Sequence, residues 1–218
     1  MDLARDGWSI ARPGLTHDLL EELRSEAFSP GSAGVRCLLD FSSVKVAAEE
    51  MKQHLIAGDV IPSSAVAIQA IAFDKTPDTN WKVPWHQDLM FPFSDEVSSP
   101  GYDLPSRKTG VHYARPPVDV LESLLAVRLH LDDCDETNGP LRVSPGTHLS
   151  GIIPSAEAAN RAAENGEVAC LASIGEALLM RPLLLHASSQ ATEPGHRRVL
   201  HVVYHSGAPM PERWHRFL

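Results

Sequence analysis

His86, Gln87 and Asp88 set an imidazole and a carboxylate two residues apart. In an extended segment residues i and i+2 project from the same face, so this His-x-Asp can aim both groups at one metal ion. A third ligand is needed, and His186, which ends the apolar run Leu183-Leu184-Leu185, can supply it. Two histidines and one carboxylate on one side of a six-coordinate ion leave three positions open, the arrangement associated with Fe(II) oxygenases. Ser188 shares the strand face of His186 by alternation. Arg197 follows eleven residues after His186, across Glu193-Pro194-Gly195, and a hairpin of that length would return it to the neighbourhood of His186. Its planar fork suits a carboxylate in a closed pocket, because it offers two parallel charge-assisted hydrogen bonds. Singly, each residue has a structural alternative: His86 and Asp88 a turn-stabilising pair, His186 a satisfied core histidine, Arg197 part of a surface hairpin with Arg198. Their order and spacing favour the metal site.

The surrounding pattern predicts helices first and strands after. Thr16 can cap a short helix bearing Leu19, Leu20, Leu23 and Phe28. A second helix follows Ser43, with Val44, Ala47, Ala48, Met51 and Leu55 at helical spacing and Gly58 as a stop. From about Ser64 the pattern changes to short β-rich runs, Ala65 to Phe73, Leu124 to Leu131, Glu176 to Leu179, Leu183 to Ser188 and Arg198 to Tyr204. Asn138-Gly139, Pro145-Gly146 and Pro194-Gly195 separate them as turns, Asn138-Gly139 reading as a hairpin turn. The stretch from Phe91 to Val120 is rich in Pro, Gly and Ser and is expected to be a long connection covering the site. Residues 156–165 read as a surface helix. These elements predict a mainly β fold with flanking helices, a double-stranded β-helix (jelly-roll, cupin-like) core over residues 64–205 with a helical part, residues 1–60, packed on it. A closed small barrel can aim ligands from separate strands at one point.

At 218 residues the chain is expected to form one domain. Its net charge of −9, without a basic run or interleaved aromatics, argues against nucleic acid as a partner. Cys37, Cys134 and Cys170 are odd in number and far apart, so neither a disulfide framework nor a CxxC metal site is indicated. Met-Asp-Leu-Ala-Arg-Asp leads into no apolar segment, and the most apolar stretch, Ala177 to Leu185, is interrupted by Arg181 and Pro182. A soluble, cytoplasmic protein without membrane contact is the expectation. Among the remaining histidines His130 shares a strand face with Arg128 and is a candidate pocket residue, whereas His17, His54, His196 and His215 are expected to be solvated. Trp81 and Trp85 flank the motif and suit either packing or a pocket wall.

Trp85-His86-Gln87-Asp88, then Asn138-Gly139-Pro140-Leu141 running into Ser144-Pro145-Gly146-Thr147-His148, then His186-Ala187-Ser188 with Arg197 occur here in one order. In this the chain, from about Gln69 to Tyr204, resembles the phytanoyl-CoA dioxygenase family of Fe(II)/2-oxoglutarate oxygenases. The resemblance implies iron ligation by His86, Asp88 and His186, and binding of the cosubstrate 2-oxoglutarate by Arg197 and Ser188. It also places Gln69 toward cosubstrate or substrate. Arg128 stands where many relatives carry a tryptophan beside the cosubstrate. It is expected to touch the cosubstrate or an acidic substrate group, or else to pair with Asp132 or Asp133. The implied reaction uses O2, converts 2-oxoglutarate to succinate and CO2, and oxidises a C–H bond of a small-molecule substrate, most simply by hydroxylation. Asp88 argues against halogenation, since halogenases of this type vacate the carboxylate position. Two other readings stand beside it: a zinc-dependent hydrolase or isomerase, which would leave Arg197 and Ser188 without a task, and a non-catalytic cupin-like metal-binding domain.

Overall fold

The computed structural model describes residues 2–29 and 31–218. Among these, the helices are α1 (Leu3–Asp6), α2 (His17–Glu26), α3 (Ser42–Ala57), α4 (Val118–Glu122) and α5 (Ala158–Asn165). The strands are β1 (Trp8–Ala11), β2 (Gly34–Arg36), β3 (Val66–Lys75), β4 (Val83–His86), β5 (Phe91–Phe93), β6 (Asp103–Lys108) and β7 (Val111–Arg115), followed by β8 (Leu124–His130), β9 (Leu141–Val143), β10 (Val168–Cys170), β11 (Ala177–Met180), β12 (His186–Ser188) and β13 (Arg197–His205). A six-stranded sheet in the order β1-β11-β8-β13-β3-β2 and a four-stranded sheet in the order β10-β9-β12-β4 share one apolar core, the jelly-roll architecture expected from the sequence. Every pairing is antiparallel.

The six-stranded sheet sorts its side chains by alternation. Leu125, Val127 and Leu129 of β8 and Leu200, Val202 and Tyr204 of β13 face outward and pack with Leu23 of α2 and Val44, Ala48 and Met51 of α3. Thr16 caps α2, its side chain accepting from the Leu19 N–H. Tyr204 Oη donates to the carbonyl of Ala48 at 2.7 Å, so its hydroxyl is satisfied within that buried face. The opposite face carries Arg128 and His130 from β8, and Arg197, Val199 and His201 from β13. Cross-strand register aligns His201 with Arg128 on one side and Ile71 on the other, and Arg197 with Lys75. In β3 the pairing passes from Ala67 to Gln69, leaving Ile68 as the extra residue of a bulge. That bulge resets the alternation, which lets Ile68 enter the apolar core while Gln69 turns into the cavity.

Four expectations change. The stretch from Phe91 to Val120 is a three-stranded sheet, β5-β7-β6, with α4 after it, rather than an irregular connection. Its strands gave no alternation because β5 is buried throughout and β6 is exposed throughout. Phe93 stacks on Trp214, with ring centroids 4.9 Å apart, and this holds the small sheet down. The strand at Leu183 to Ser188 begins only at His186, since Leu183–Leu185 make buried contacts before it. The link from His186 to Arg197 is a crossover from the four-stranded to the six-stranded sheet, not a hairpin. Asn138-Gly139 likewise joins β8 to β9 across the two sheets. Gly139 is nonetheless needed there: its φ is +72°, and a Cβ would stand 2.7 Å from the carbonyl oxygen of Ser189.

Gly139→Ala combines backbone strain with that collision and should destabilise the fold by roughly 1–3 kcal/mol, read as a lower urea midpoint. An unchanged midpoint would mean that the close approach of this segment to Ser189 is not a constraint.

Candidate active site

His86 closes β4 and His186 opens β12, and the two are direct partners across the sheet. Their rings lie 4.1 Å apart, centroid to centroid. In each, Nδ1 lies 2.9 Å from the carbonyl oxygen two residues upstream, Pro84 for His86 and Leu184 for His186. A carbonyl only accepts, so Nδ1 carries the proton and Nε2 is left with its lone pair facing the cavity. Asp88 lies just past the end of β4, held by its N–H donating to Pro182 O at 2.9 Å. Its carboxylate sits 3.8 Å from His86 Nε2 and 3.7 Å from His186 Nε2. One ligand atom from each residue falls within 4.8 Å of the others, too far apart to bond one another and close enough to share one ion. Gln87 points away and clamps the turn: its Nε2 donates to Gly151 O at 2.8 Å and Leu183 O at 2.6 Å, and its Oε1 accepts from Ile153 N at 2.8 Å.

Protonation states suit a cation. Burial drives His186 down to about 4 although Asp88 opposes it, so the imidazole is neutral. Burial by itself would raise the Asp88 carboxyl, but the imidazoles of His186, His201 and His86 and the Arg128 guanidinium outweigh that and hold it below its ordinary value. An anionic carboxylate and two imidazoles that present Nε2 make a suitable donor set for a divalent ion of the first transition row.

Beside this set lies a cationic end. Arg197 is 3% exposed; one Nη donates to Gly139 O, and its Nε has no partner. Ser188 Oγ donates to Gly139 O at 3.1 Å and accepts from Lys75 Nζ at 2.9 Å. Lys75 is 1% exposed, and burial together with the nearby Arg197 lowers it to about 8. A buried guanidinium with a nitrogen to spare and a hydroxyl, both lining the cavity, fit a carboxylate, with Lys75 bonded to that hydroxyl.

Arg128 lines the same cavity, 8% exposed, with its guanidinium 5.5 Å over the Phe73 ring. Its Nη1 lies 3.1 Å from His201 Nδ1. Guanidinium only donates, so His201 carries its proton on Nε2, which faces Asp88 Oδ2 at 4.0 Å. The expected alternative pairing with Asp132 or Asp133 does not occur: Asp132 is taken by Arg198, at 2.9 and 2.8 Å on the far face, and Asp133 caps the Ile174 N–H. Gln69 lines the cavity with a buried, unpartnered Oε1. His130, a candidate pocket residue, lies outside the cavity lining; it is 2% exposed and neither ring nitrogen has a partner. Its side chain is on the inward face as alternation requires, yet it does not reach the cavity. Trp81 lines the cavity under the Lys75 ammonium, and Trp85 packs against Arg142. His17, His54 and His196 are exposed as expected, while His215 is half-buried.

Two residues escaped the sequence reading. His201 could have been found, since it stands four residues after Arg197 in one strand and therefore on the same face. Lys75 could not: its place opposite Arg197 depends on the pairing of β3 with β13.

A jelly-roll carrying two histidines and a carboxylate at one end of its cavity defines a class, the cupin-like metalloproteins. The family described as Phytanoyl-CoA dioxygenase (PhyH) matches residues 18–199, and the chain belongs to it. No curated protein matches the sequence. Solved structures do resemble the fold. AviO1 from Streptomyces viridochromogenes Tue57 superposes with a TM-score of 0.67 at 21% identity, over 96% of this chain and 94% of that one. HygX from Streptomyces hygroscopicus, solved with nickel and 2-oxoglutarate bound, gives 0.62 at 15% identity over 93% and 84%. EctD from S. alaskensis, solved with 2-oxoglutarate and 5-hydroxyectoine, gives 0.64 at 17% identity over 94% and 73%. Among the described residues no helix is long and apolar enough to cross a membrane.

Burial, with Arg128 and Arg197 nearby, lowers His130 to about 3. The unfolded chain would take up a proton there near pH 6.5 that the folded protein refuses, so this residue costs stability as pH falls from 6.5 toward 3. The slope is at most about 1.4 kcal/mol per pH unit. His130→Leu should therefore gain on the parent steadily below pH 6.5 in urea melts. Parallel pH profiles would show that His130 is not held neutral.

Proposed function

We propose that this protein is an Fe(II)- and 2-oxoglutarate-dependent oxygenase acting on a small molecule, most simply as a hydroxylase. His86, Asp88 and His186 would hold the iron through Nε2, a carboxylate oxygen and Nε2. Arg197 would take the distal carboxylate of 2-oxoglutarate, assisted by Ser188 and by Lys75, with Gln69 facing the bound pair. The observation that carries this reading is the juxtaposition of a three-ligand set with a buried, incompletely partnered cationic end in one cavity of about 600 Å3. A zinc hydrolase would use the first and leave the second idle.

Iron and 2-oxoglutarate would supply the oxidising chemistry, in which O2 is consumed, succinate and CO2 leave, and a substrate C–H bond is oxidised. The chain's own part is positional. The Nδ1 bonds to Pro84 and Leu184 fix both imidazoles in the ligating tautomer, so little reorganisation is needed on binding. Gln87 anchors three backbone groups and so fixes the direction of Asp88. The β5-β7-β6 sheet contributes Leu104 and Tyr113 to the cavity wall and limits the access of water.

The reading is tested by oxygen-dependent succinate formation from 2-oxoglutarate with added Fe(II). The parent should form succinate, and His186→Ala should reduce it to background while losing iron affinity. Succinate formation by His186→Ala at the parent rate would refute the ligand assignment. Charge-assisted bonds contribute about 1.5–3 kcal/mol each, so Arg197→Met should weaken 2-oxoglutarate binding by at least about tenfold. Calorimetry on nickel-loaded protein would show this with metal affinity retained, and unchanged cosubstrate affinity would contradict it.

A further inference from the structure

The cavity is charged against the character of the chain. The protein carries 28 acidic and 19 basic residues, yet five of the cavity's lining side chains are basic, Arg36, Lys108, Arg115, Arg128 and Arg197, and Asp88 is the one acidic side chain among them. Two of the cations are already matched. Arg115 pairs with Asp103 at 2.7 Å, and Arg197 is the cosubstrate anchor on the reading above. Arg36 and Lys108 are exposed at the mouth and have no carboxylate within 4.0 Å among the described residues.

Arg128 is the informative one. It is 8% exposed, no carboxylate lies within ion-pair distance among the described residues, and its Nε is buried without a partner. Its one side-chain hydrogen-bond partner is a neutral imidazole, His201. Burial and the charge of Arg197 lower it to about 10, which still leaves it protonated at neutral pH. A buried cation paired with no anion is costly, and the cost is offset when an anion arrives. The cavity lining also includes the apolar side chains of Ile71, Phe73, Leu89, Phe91 and Ile152.

Resting on the oxygenase reading, we propose that the prime substrate is an oxyanion, a carboxylate or phosphate joined to an apolar body. Its acidic group is received by Arg128 inside the cavity, its body lies along the apolar wall, and Arg36 and Lys108 attract it at the mouth.

The test uses the full chain loaded with Ni(II) and 2-oxoglutarate. A panel of small carboxylates, phosphate monoesters and their neutral amide and alcohol isosteres, with aryl or alkyl bodies, is titrated by ligand-observed NMR. Anions of at least one of the two kinds should bind at least about tenfold tighter than their neutral isosteres, and the two arms tell carboxylate from phosphate. Arg128→Met should abolish most of that preference and Arg128→Lys should restore part of it. Should Arg128→Met fail to fold, Arg36→Ala/Lys108→Ala provides the second arm: anion affinity should fall and become less sensitive to salt. Neutral isosteres binding as well as anions, a panel in which no anion binds, or a preference that survives both sets of variants would overturn the proposal. So would an Arg128→Met that loses 2-oxoglutarate rather than the panel anions, since Arg128 would then belong to the cosubstrate. Failure of the parent to bind 2-oxoglutarate at all would sink the oxygenase reading instead.

Discussion

Everything at the centre depends on one cross-strand pair, His86 on β4 opposite His186 on β12. Side chains alternate along a strand, so a slip of one residue would carry one imidazole to the other face and dissolve the site. Short strands specify register weakly by pairing alone, and here the flanks supply the rest. Ser144 N donates to Leu185 O and Leu185 N to Thr147 Oγ1, which ties the residue before His186 to the β9 side. Gln87, between His86 and Asp88, is 8% exposed and makes three hydrogen bonds to the backbone of Gly151, Ile153 and Leu183. The residue at the centre of the His-x-Asp thus orients its neighbours rather than bonding a ligand.

The same alternation makes a polar cavity affordable inside a small barrel. On the six-stranded sheet the outward face is aliphatic and covered by α2 and α3, and the inward face carries Lys75, Arg128, Arg197 and His201. Apolar burial on one side of each strand sustains the desolvation of charge on the other. The charges are spaced by chemistry as well. His201, neutral because of burial and the neighbouring Arg128, stands between that guanidinium and the Asp88 carboxylate.

Much of this was legible in the sequence because it is local. The i, i+2 spacing of His86 and Asp88, the shared face of His186 and Ser188, and the opposite faces of Arg197 and Arg198 need only strand geometry. The helices after Thr16 and Ser43 declared themselves by period. What stayed hidden depends on which strand pairs with which. Lys75 meets Ser188 and Arg197 through the β3 and β13 register, and the bulge at Ile68 turns Gln69 inward, neither of which periodicity reveals. The β5-β7-β6 sheet was unreadable for a different reason. A wholly buried strand and a wholly exposed one carry no alternating signal, and the sheet exists because Phe91 and Phe93 pack on Trp214, far along the chain.

The central claim is that one ion, held by His86, Asp88 and His186, binds 2-oxoglutarate directly within this cavity. Anaerobic titration of the Fe(II)-loaded protein with 2-oxoglutarate, followed by visible absorption, tests it most directly. A charge-transfer band that requires both iron and 2-oxoglutarate, saturates at one equivalent of each and vanishes in Asp88→Asn/His186→Ala is the predicted result. Iron bound tightly with no such band, or a band that survives loss of both ligands, would contradict the account.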